Sequence, residues 1–221
     1  MTLSMPTPLE PVLRPSTASM VADRVREAIA TGDLAPGTQL GEAELARQLG
    51  VSRGPLREGL QRLTQEGLLL SIRNRGLFVI EMTPERVRDM YLARQAVERA
   101  AAEQVHQRRP VEAGEALLTV IERMALAGAA DDEAGLAASD LQFHELLVEQ
   151  SESPRLAQMH ATLLTETRMC LNALKATYAS HDERVDEHRA IARSFIDREP
   201  RLTDSLLVAH MRDALARLHA E

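Results

Sequence analysis

Aromatic side chains are almost missing from this chain: two Tyr, three Phe and no Trp among 221 residues. Hydrophobic residues still make up 44% of it, so a sizeable core must be assembled from Leu, Ala, Val, Ile and Met. Those residues favour helix packing over a β-sandwich. Cysteine occurs once, as Cys170, so no internal disulfide can form, and a reducing cytoplasm is the expected location. No apolar run approaches the roughly 20 residues of a membrane span. The start of the chain lacks a charged region followed by an apolar stretch, so no signal peptide is read there. Lysine also occurs once, as Lys175, and Arg carries nearly all the positive charge.

The net charge of −7 argues at first against nucleic acid. Its distribution argues otherwise. Residues 1–82 hold 9 Arg and 9 acidic residues, while residues 83–221 carry the whole excess of acid. Within 46–75, six Arg stand against Glu58 and Glu66. A local basic patch can bind phosphate while the rest of an acidic protein repels non-specific contact.

That patch coincides with two short helical patterns. Glu42–Leu49 is one and Pro55–Leu63 the other, separated by Gly50, Val51 and Ser52. Leu45, Leu49, Val51, Leu56, Leu60 and Leu63 fall on one side, and Arg53, Arg57 and Arg62 on the other. A Gly-marked turn, an apolar seam and a second helix whose start carries forked donors are the requirements of a helix-turn-helix.

Before it, residues 1–19 are rich in Pro, Thr and Ser and read as a flexible arm. Val21, Val25, Ala28 and Ile29 then give helical spacing up to Gly32. After it, Leu68 to Ile80 reads as two short strands around Arg73-Asn74-Arg75-Gly76, a hairpin tip. Residues 20–82 therefore predict a winged helix-turn-helix. From residue 83 the pattern is wholly helical, with segments near 84–107, 110–127, 132–150, 154–178, 182–198 and 200–219. Thr83-Pro84-Glu85 is a helix start, and Pro110, Pro154 and Pro200 open three more. The fold class predicted is mainly α: the winged head, then an all-α antiparallel bundle of six helices over 83–221.

Base readout needs donors aimed rigidly at major-groove edges, and Arg is the best reader of guanine. Arg53 at the entry of the second helix and Arg57 one turn on face the same groove. Ser52 and the backbone amides at the helix start can take a phosphate, and Gly54 permits close approach. Arg73 and Arg75 at the wing tip can reach a minor groove or phosphates. Arg47 and Arg62 are better placed for backbone phosphates, although Arg62 and Arg73 fit simple solvated surface positions equally well.

Taken together, several segments resemble the GntR superfamily of bacterial transcription regulators. They are Leu34-Ala35-Pro36-Gly37-Thr38-Gln39-Leu40, Glu44-Leu45-Ala46, Leu49-Gly50-Val51-Ser52-Arg53, Pro55-Leu56-Arg57-Glu58, and Leu63 with Glu66-Gly67-Leu68. The resemblance implies operator contact by Ser52, Arg53 and Arg57, and by Arg75 from the wing. Three positions depart from the family pattern. Ala43 stands where some members carry a DNA-contacting Arg, Gly54 replaces the usual Thr, and Gly59 the usual Ala. Gly59 is expected to weaken its helix by about 1 kcal/mol relative to Ala.

The bundle carries one constellation with chemistry. Asp140 and His144, at i and i+4, share a helix face as metal ligands do. His188 and His210 fall on two further helices near their apolar stripes. One carboxylate and three imidazoles suit Zn first, and also Ni, Fe or Mn. By spacing alone the same residues fit surface or satisfied core histidines. The layout also resembles the FCD effector domain of the FadR branch, in its six-helix, VanR-like type. That resemblance implies that Asp140, His144, His188 and His210 bind a divalent metal, and that Arg94 faces a cavity for a small carboxylic acid. A guanidinium and a metal together form a carboxylate clamp; the competing role for Arg94 is an intrahelical pair with Glu98. Arg168 and Asn172 are read as further lining residues, Cys170 as packing, and His106, His160, His181 and His219 as solvent-facing or helix-end positions, with His181 a candidate for the pocket rim.

The chain is thus expected to be a cytoplasmic, nucleoid-associated regulator and not an enzyme, a homodimer on a near-palindromic operator that answers to a carboxylate. Two alternatives remain: a regulator for which the cation is itself the signal, and a metalloenzyme fused to a DNA-binding head. No general base stands out beside the ligands to support the second.

Overall fold

The computed structural model describes residues 16–174 and 180–218, with side chains described for 16–171 and 180–217. The chain begins with α1 (Thr17–Thr31), whose N-cap Ser16 accepts a bond from the amide of Ser19 and whose C-cap is Gly32 in the left-handed region. Residues 17–19, expected in the arm, therefore belong to a capped helix. A two-residue strand β1 (Gln39–Leu40) follows, then α2 (Glu42–Leu49) and α3 (Arg53–Gln65). Gly50, at φ 64°, closes α2 and turns the chain into α3. Only glycine takes that backbone conformation at no steric cost.

β2 (Leu69–Ile72) and β3 (Gly76–Val79) form the expected hairpin. Both of its strands are antiparallel, with Ser71 opposite Leu77. β1 adds a third strand on the other edge of β3, with Leu40 opposite Leu77. The sequence reading missed β1, since two residues are too short to show alternation. Val21, Val25, Ile29, Leu56, Leu60, Leu63, Leu68 and Val79 make the core of this head, with Leu45, Leu49 and Val51 packed against it.

Thr83 caps α4 (Pro84–Arg108), which begins the bundle. Then come α5 (Pro110–Ala129), α6 (Glu133–Glu149), α7 (Pro154–Leu174), α8 (His181–Ile196) and α9 (Pro200–Leu218). α5 packs between α6 and α8, and α4 packs against α7 and α9. Leu117, Ile121, Met124, Leu136, Phe143, Leu147, Ile191, Phe195 and Leu207 fill the centre. Cys170 is buried against Val87, Met90, Tyr91 and Met211, where burial pushes its thiol up to about 12. Packing is the role that environment allows it. Among the described residues no helix is long and apolar enough to cross a membrane.

One helix crosses from bundle to head. Met169 of α7 lies inside the head's apolar cluster beside α1. Arg168 Nη1 is 3.1 Å from Glu27 of α1. This corrects the reading of Arg168 as a cavity-lining residue: its guanidinium is spent on the head.

Gly59 also acquires a reason. A Cβ there would lie 2.8 Å from Val21 Cγ1 and 2.9 Å from the Ala18 carbonyl oxygen. The missing side chain is what lets α1 and α3 approach. Helix propensity favours Ala by about 1 kcal/mol, but overpacking against a backbone atom costs about 1–3 kcal/mol. Gly59→Ala is therefore expected to lower the thermal midpoint; a raised midpoint by calorimetry would show that propensity wins.

Candidate DNA-reading surface and buried metal centre

α3 projects from the head with its arginines outward. Ser52 occupies the N-cap position in extended conformation, yet its side chain makes no capping bond. Its hydroxyl and the first amides of α3 stay available. Arg53 is exposed and carries no ion pair among the described residues. Nothing lies within 4 Å of a Cβ built on Gly54, so packing inside this chain does not require glycine there. Arg57 Nε bonds Glu42 Oε2 at 2.7 Å while the side chain stays 66% exposed, which holds the guanidinium beside the start of α2.

At the wing tip, Asn74 adopts φ 62° and Gly76 φ 100°, which reverses the chain within four residues. Arg75 stacks over Phe78, with 5.6 Å from its guanidinium carbon to the ring centre, and its carbonyl accepts from Gln39 Nε2. Arg73 is exposed beside it. Two other arginines pair with carboxylates on their own helices or next to them. Arg47 forms an i, i+3 pair with Glu44. Arg62, at the far end of α3, pairs with Glu66, which also takes Arg26 of α1. For Arg62, weighed against a solvated surface position, a carboxylate one turn away competes with phosphate.

In the bundle, the apolar stripes of α6, α8 and α9 turn three imidazoles toward one point. The donor atoms of His144, His188 and His210 lie within 4.8 Å of one another, and all three residues are buried. His144 Nε2 and His210 Nε2 are 3.1 Å apart. Asp140 Oδ1 is 3.4 Å from His188 Nε2. Phe143 covers two of the rings edge-on. The four residues singled out from sequence therefore come together, with Asp140 at the margin beside His188.

The outer nitrogens decide what the inner ones can do. His144 Nδ1 is 2.8 Å from Glu98 Oε2, His188 Nδ1 is 2.7 Å from the Arg184 carbonyl, and His210 Nδ1 is 3.1 Å from Glu187 Oε2. Carbonyls and carboxylates accept, so each Nδ1 donates. Burial would raise Glu98 by itself, but His144 and Arg94 hold it well below the usual carboxylate range. Burial, then Arg94, presses His144 down to about 4, and burial presses His188 down to about 3 against the pull of Asp140. With its one proton on Nδ1, a neutral ring presents a bare lone pair at Nε2. Facing lone pairs repel unless a proton or a metal cation lies between them. Asp140 Oδ1 and His188 Nε2 are also buried without a hydrogen-bond partner. Against burial, the neighbouring histidines and Arg184 hold Asp140 at about 2, so it is a carboxylate. The donor set fits a divalent cation of the Zn, Ni, Fe or Mn class.

Arg94 is buried, with Nε 2.7 Å from Glu98 Oε1 and Nη1 3.4 Å from Thr167 Oγ1. The intrahelical pair weighed against an effector role is real, yet Nη2 is buried without a partner. The fork thus keeps one donor beyond its pair with Glu98. The side chain of Asn172 and the whole of His219 lie outside the described residues. His160 corrects the sequence reading: it is buried, with Nε2 2.9 Å from Glu98 Oε1. His106 stacks on Phe195 and bonds Thr203, and His181 bonds Glu133 and the Gly128 carbonyl, at the helix end expected for it. The role of Glu98 was missed, because a carboxylate serving three helices has no local spacing.

A winged helix-turn-helix joined to a six-helix bundle with a histidine centre defines a class, the DNA-binding transcription regulators with a ligand-sensing helical domain. The known proteins fix the family within it. The sequence pattern of the bacterial regulatory proteins of the gntR family matches residues 17–79, and that of the FCD domain matches residues 89–213. The chain belongs to the GntR family, in its FCD-bearing branch. It is 37% identical over 127 residues to an uncharacterized HTH-type transcriptional regulator of Agrobacterium vitis, a match covering 56% of this chain and 74% of that protein. It is 28% identical over 202 residues to a probable D-xylose utilization operon transcriptional repressor of Paenarthrobacter nicotinovorans, covering 90% of this chain and 87% of the other. A GntR-type putative transcriptional regulator from Rhodococcus sp. RHA1 superposes with TM-score 0.74 at 25% identity, over 91% of this chain and 96% of that one. GntR-family regulators bind DNA operators and small-molecule effectors, and this family and these relatives are regulators rather than enzymes.

Arg57→Ala is expected to lose about 1–3 kcal/mol of discrimination between operator and non-operator DNA. The fold should be kept, since the side chain is exposed. Unchanged discrimination in an anisotropy titration would remove Arg57 from the reading surface.

Proposed function

We propose that the chain is a repressor whose hold on DNA is set by a small carboxylic acid bound at a divalent cation in the bundle. Residues 20–82 read the operator and residues 83–221 sense the signal. Arg53 and Arg57 enter the major groove, with Ser52 and Gly54 at the backbone, Arg73 and Arg75 at the adjacent minor groove, and Arg47 on phosphate. Arg62 is left to Glu66. A homodimer presents two such helices to a near-palindromic site. Repression as the default mode draws on two relatives named as repressors, the xylose protein above and a gluconate operon transcriptional repressor of Bacillus licheniformis.

One observation carries the sensing half: three buried Nε2 atoms face one another while their Nδ1 protons are held outward. Asp140, His144, His188 and His210 would hold the cation, which polarises and binds a carboxylate when present. Charge supports an anionic ligand. Arg94 is matched by Glu98, and Arg184 sits in the field of Asp140. A divalent cation there is offset only in part by the single Asp140 carboxylate among its ligands. The spare Nη2 of Arg94 is a donor for the second end of a carboxylate.

His188→Ala and His210→Ala are each expected to cut the metal content of the purified protein, read by elemental analysis, and to abolish its response to carboxylates. Full occupancy in both variants sinks the site. In the intact protein, Zn²⁺ and a panel of carboxylates are titrated separately against operator binding. A response to Zn²⁺ alone, with none added by any acid, makes the cation the signal instead.

A further inference from the structure

Glu98 lies on α4 and is fully buried. Its two oxygens take three donors from three helices. Oε2 accepts from His144 Nδ1 of α6 at 2.8 Å. Oε1 accepts from Arg94 Nε of its own helix at 2.7 Å and from His160 Nε2 of α7 at 2.9 Å. One carboxylate thus touches a proposed metal ligand, the proposed effector clamp, and the helix that enters the head.

α7 has two working faces. His160 and Thr167 are seven residues apart and share a face; His160 bonds Glu98, and Thr167 bonds Arg94. Met169 is nine residues from His160, about half a turn round the helix at roughly 100° per residue. It sits in the head's core beside Val21, Val25 and Ile29. The next residue back, Arg168, pairs with Glu27.

We propose that Glu98 is the positioning residue of the metal centre and, through His160, the group that ties the centre to α7 and so to the DNA-binding head. The inference rests on the metal-site reading above. Glu98 fixes His144 with its proton on Nδ1 and raises the basicity of Nε2 toward a cation. A cation on Nε2 draws electron density from the ring and makes Nδ1–H a stronger donor. Glu98 then shifts toward His144. A carboxylate shared by three donors cannot tighten on one without loosening the other two. The donors released are on α4 and α7, and α7 ends in the head.

The test uses the full chain with Zn²⁺ and Co²⁺ as probes. Glu98→Gln has one acceptor oxygen and cannot serve all three donors. It is expected to bind Zn²⁺ about ten- to a hundredfold more weakly in chelator competition, and to change the visible spectrum of the Co²⁺-loaded protein, which a merely structural role would leave alone. Wild-type affinity and spectrum in this variant overturn the positioning role. Independently of any variant, ¹⁵N correlation in the wild-type protein is expected to show His144 protonated at Nδ1 and bare at Nε2; the opposite tautomer overturns it as well. For the link to α7, Zn²⁺ is expected to shift the ¹³C-methyl signal of Met169 in the wild type but not in His160→Gln. A shift that persists in the variant, or is missing from the wild type, overturns the link. A wild-type protein that takes up no Zn²⁺ or Co²⁺ refutes the metal-site reading itself and this inference with it.

Discussion

Three imidazoles buried against one another in an aliphatic bundle are expensive unless every ring nitrogen is given something to do. That constraint organises the C-terminal half of the chain. The outward nitrogens are satisfied by Glu98, by the Arg184 carbonyl and by Glu187. Each of those groups must itself be compensated, Glu98 by Arg94 and His160, and Glu187 by Arg217. Among the described residues the inward nitrogen of His188 has no hydrogen-bond partner, and those of His144 and His210 face each other at 3.1 Å. A buried polar network of this kind stabilises only when complete, and a cation is the partner proposed to complete it. The bundle supplies rigidity: fully buried Phe143 packs edge-on against His144 and His188.

The head faces the opposite constraint. Its working groups must stay wet and mobile enough to meet DNA, so its stability rests on a small aliphatic core and close helix approach. Gly59 gives up helix propensity so that α1 can lie on α3. α1 is then the surface on which α7 docks, through Met169 in the core and Arg168 on Glu27. An apolar plug and an exposed ion pair differ in weight, since exposed pairs contribute only about 0–1 kcal/mol. Met169 is the stronger tie, and it is the one that places a bundle side chain inside the head.

Most of the head was legible because its signals are local. Gly50 between two short apolar patterns, Ser52 before Arg53, and Asn74-Gly76 between two strand-like runs each describe a few consecutive residues. The bundle was legible as helices for the same reason, with Thr83-Pro84 and the prolines marking starts. Asp140 and His144 could be paired by spacing because both lie on one helix. The two distant histidines could be joined to them only weakly, by their place near apolar stripes, and resemblance to a known domain strengthened the link. His160 had no such help. It lies on a helix with no ligand motif, and its partner Glu98 looked like half of an ordinary i, i+4 pair. Arg168 failed in the reverse sense: one turn from Asn172 on the same helix, it was read as lining a cavity, yet the packing of α7 on α1 turned it to the head.

Composition and periodicity by themselves determined that this chain folds as helices around an aliphatic core. The motif between Gln39 and Gly76 determined that it begins with a DNA-reading head. These are short-range consequences of side-chain shape, backbone freedom and charge, written in neighbouring residues. The tertiary structure alone decided which arginines stay free and which are spent on carboxylates. It also decided that Glu98 serves three helices, and that three imidazoles point their bare nitrogens at one another. Those outcomes depend on distances between residues far apart in the chain, set by how helices cross, and no local pattern encodes them.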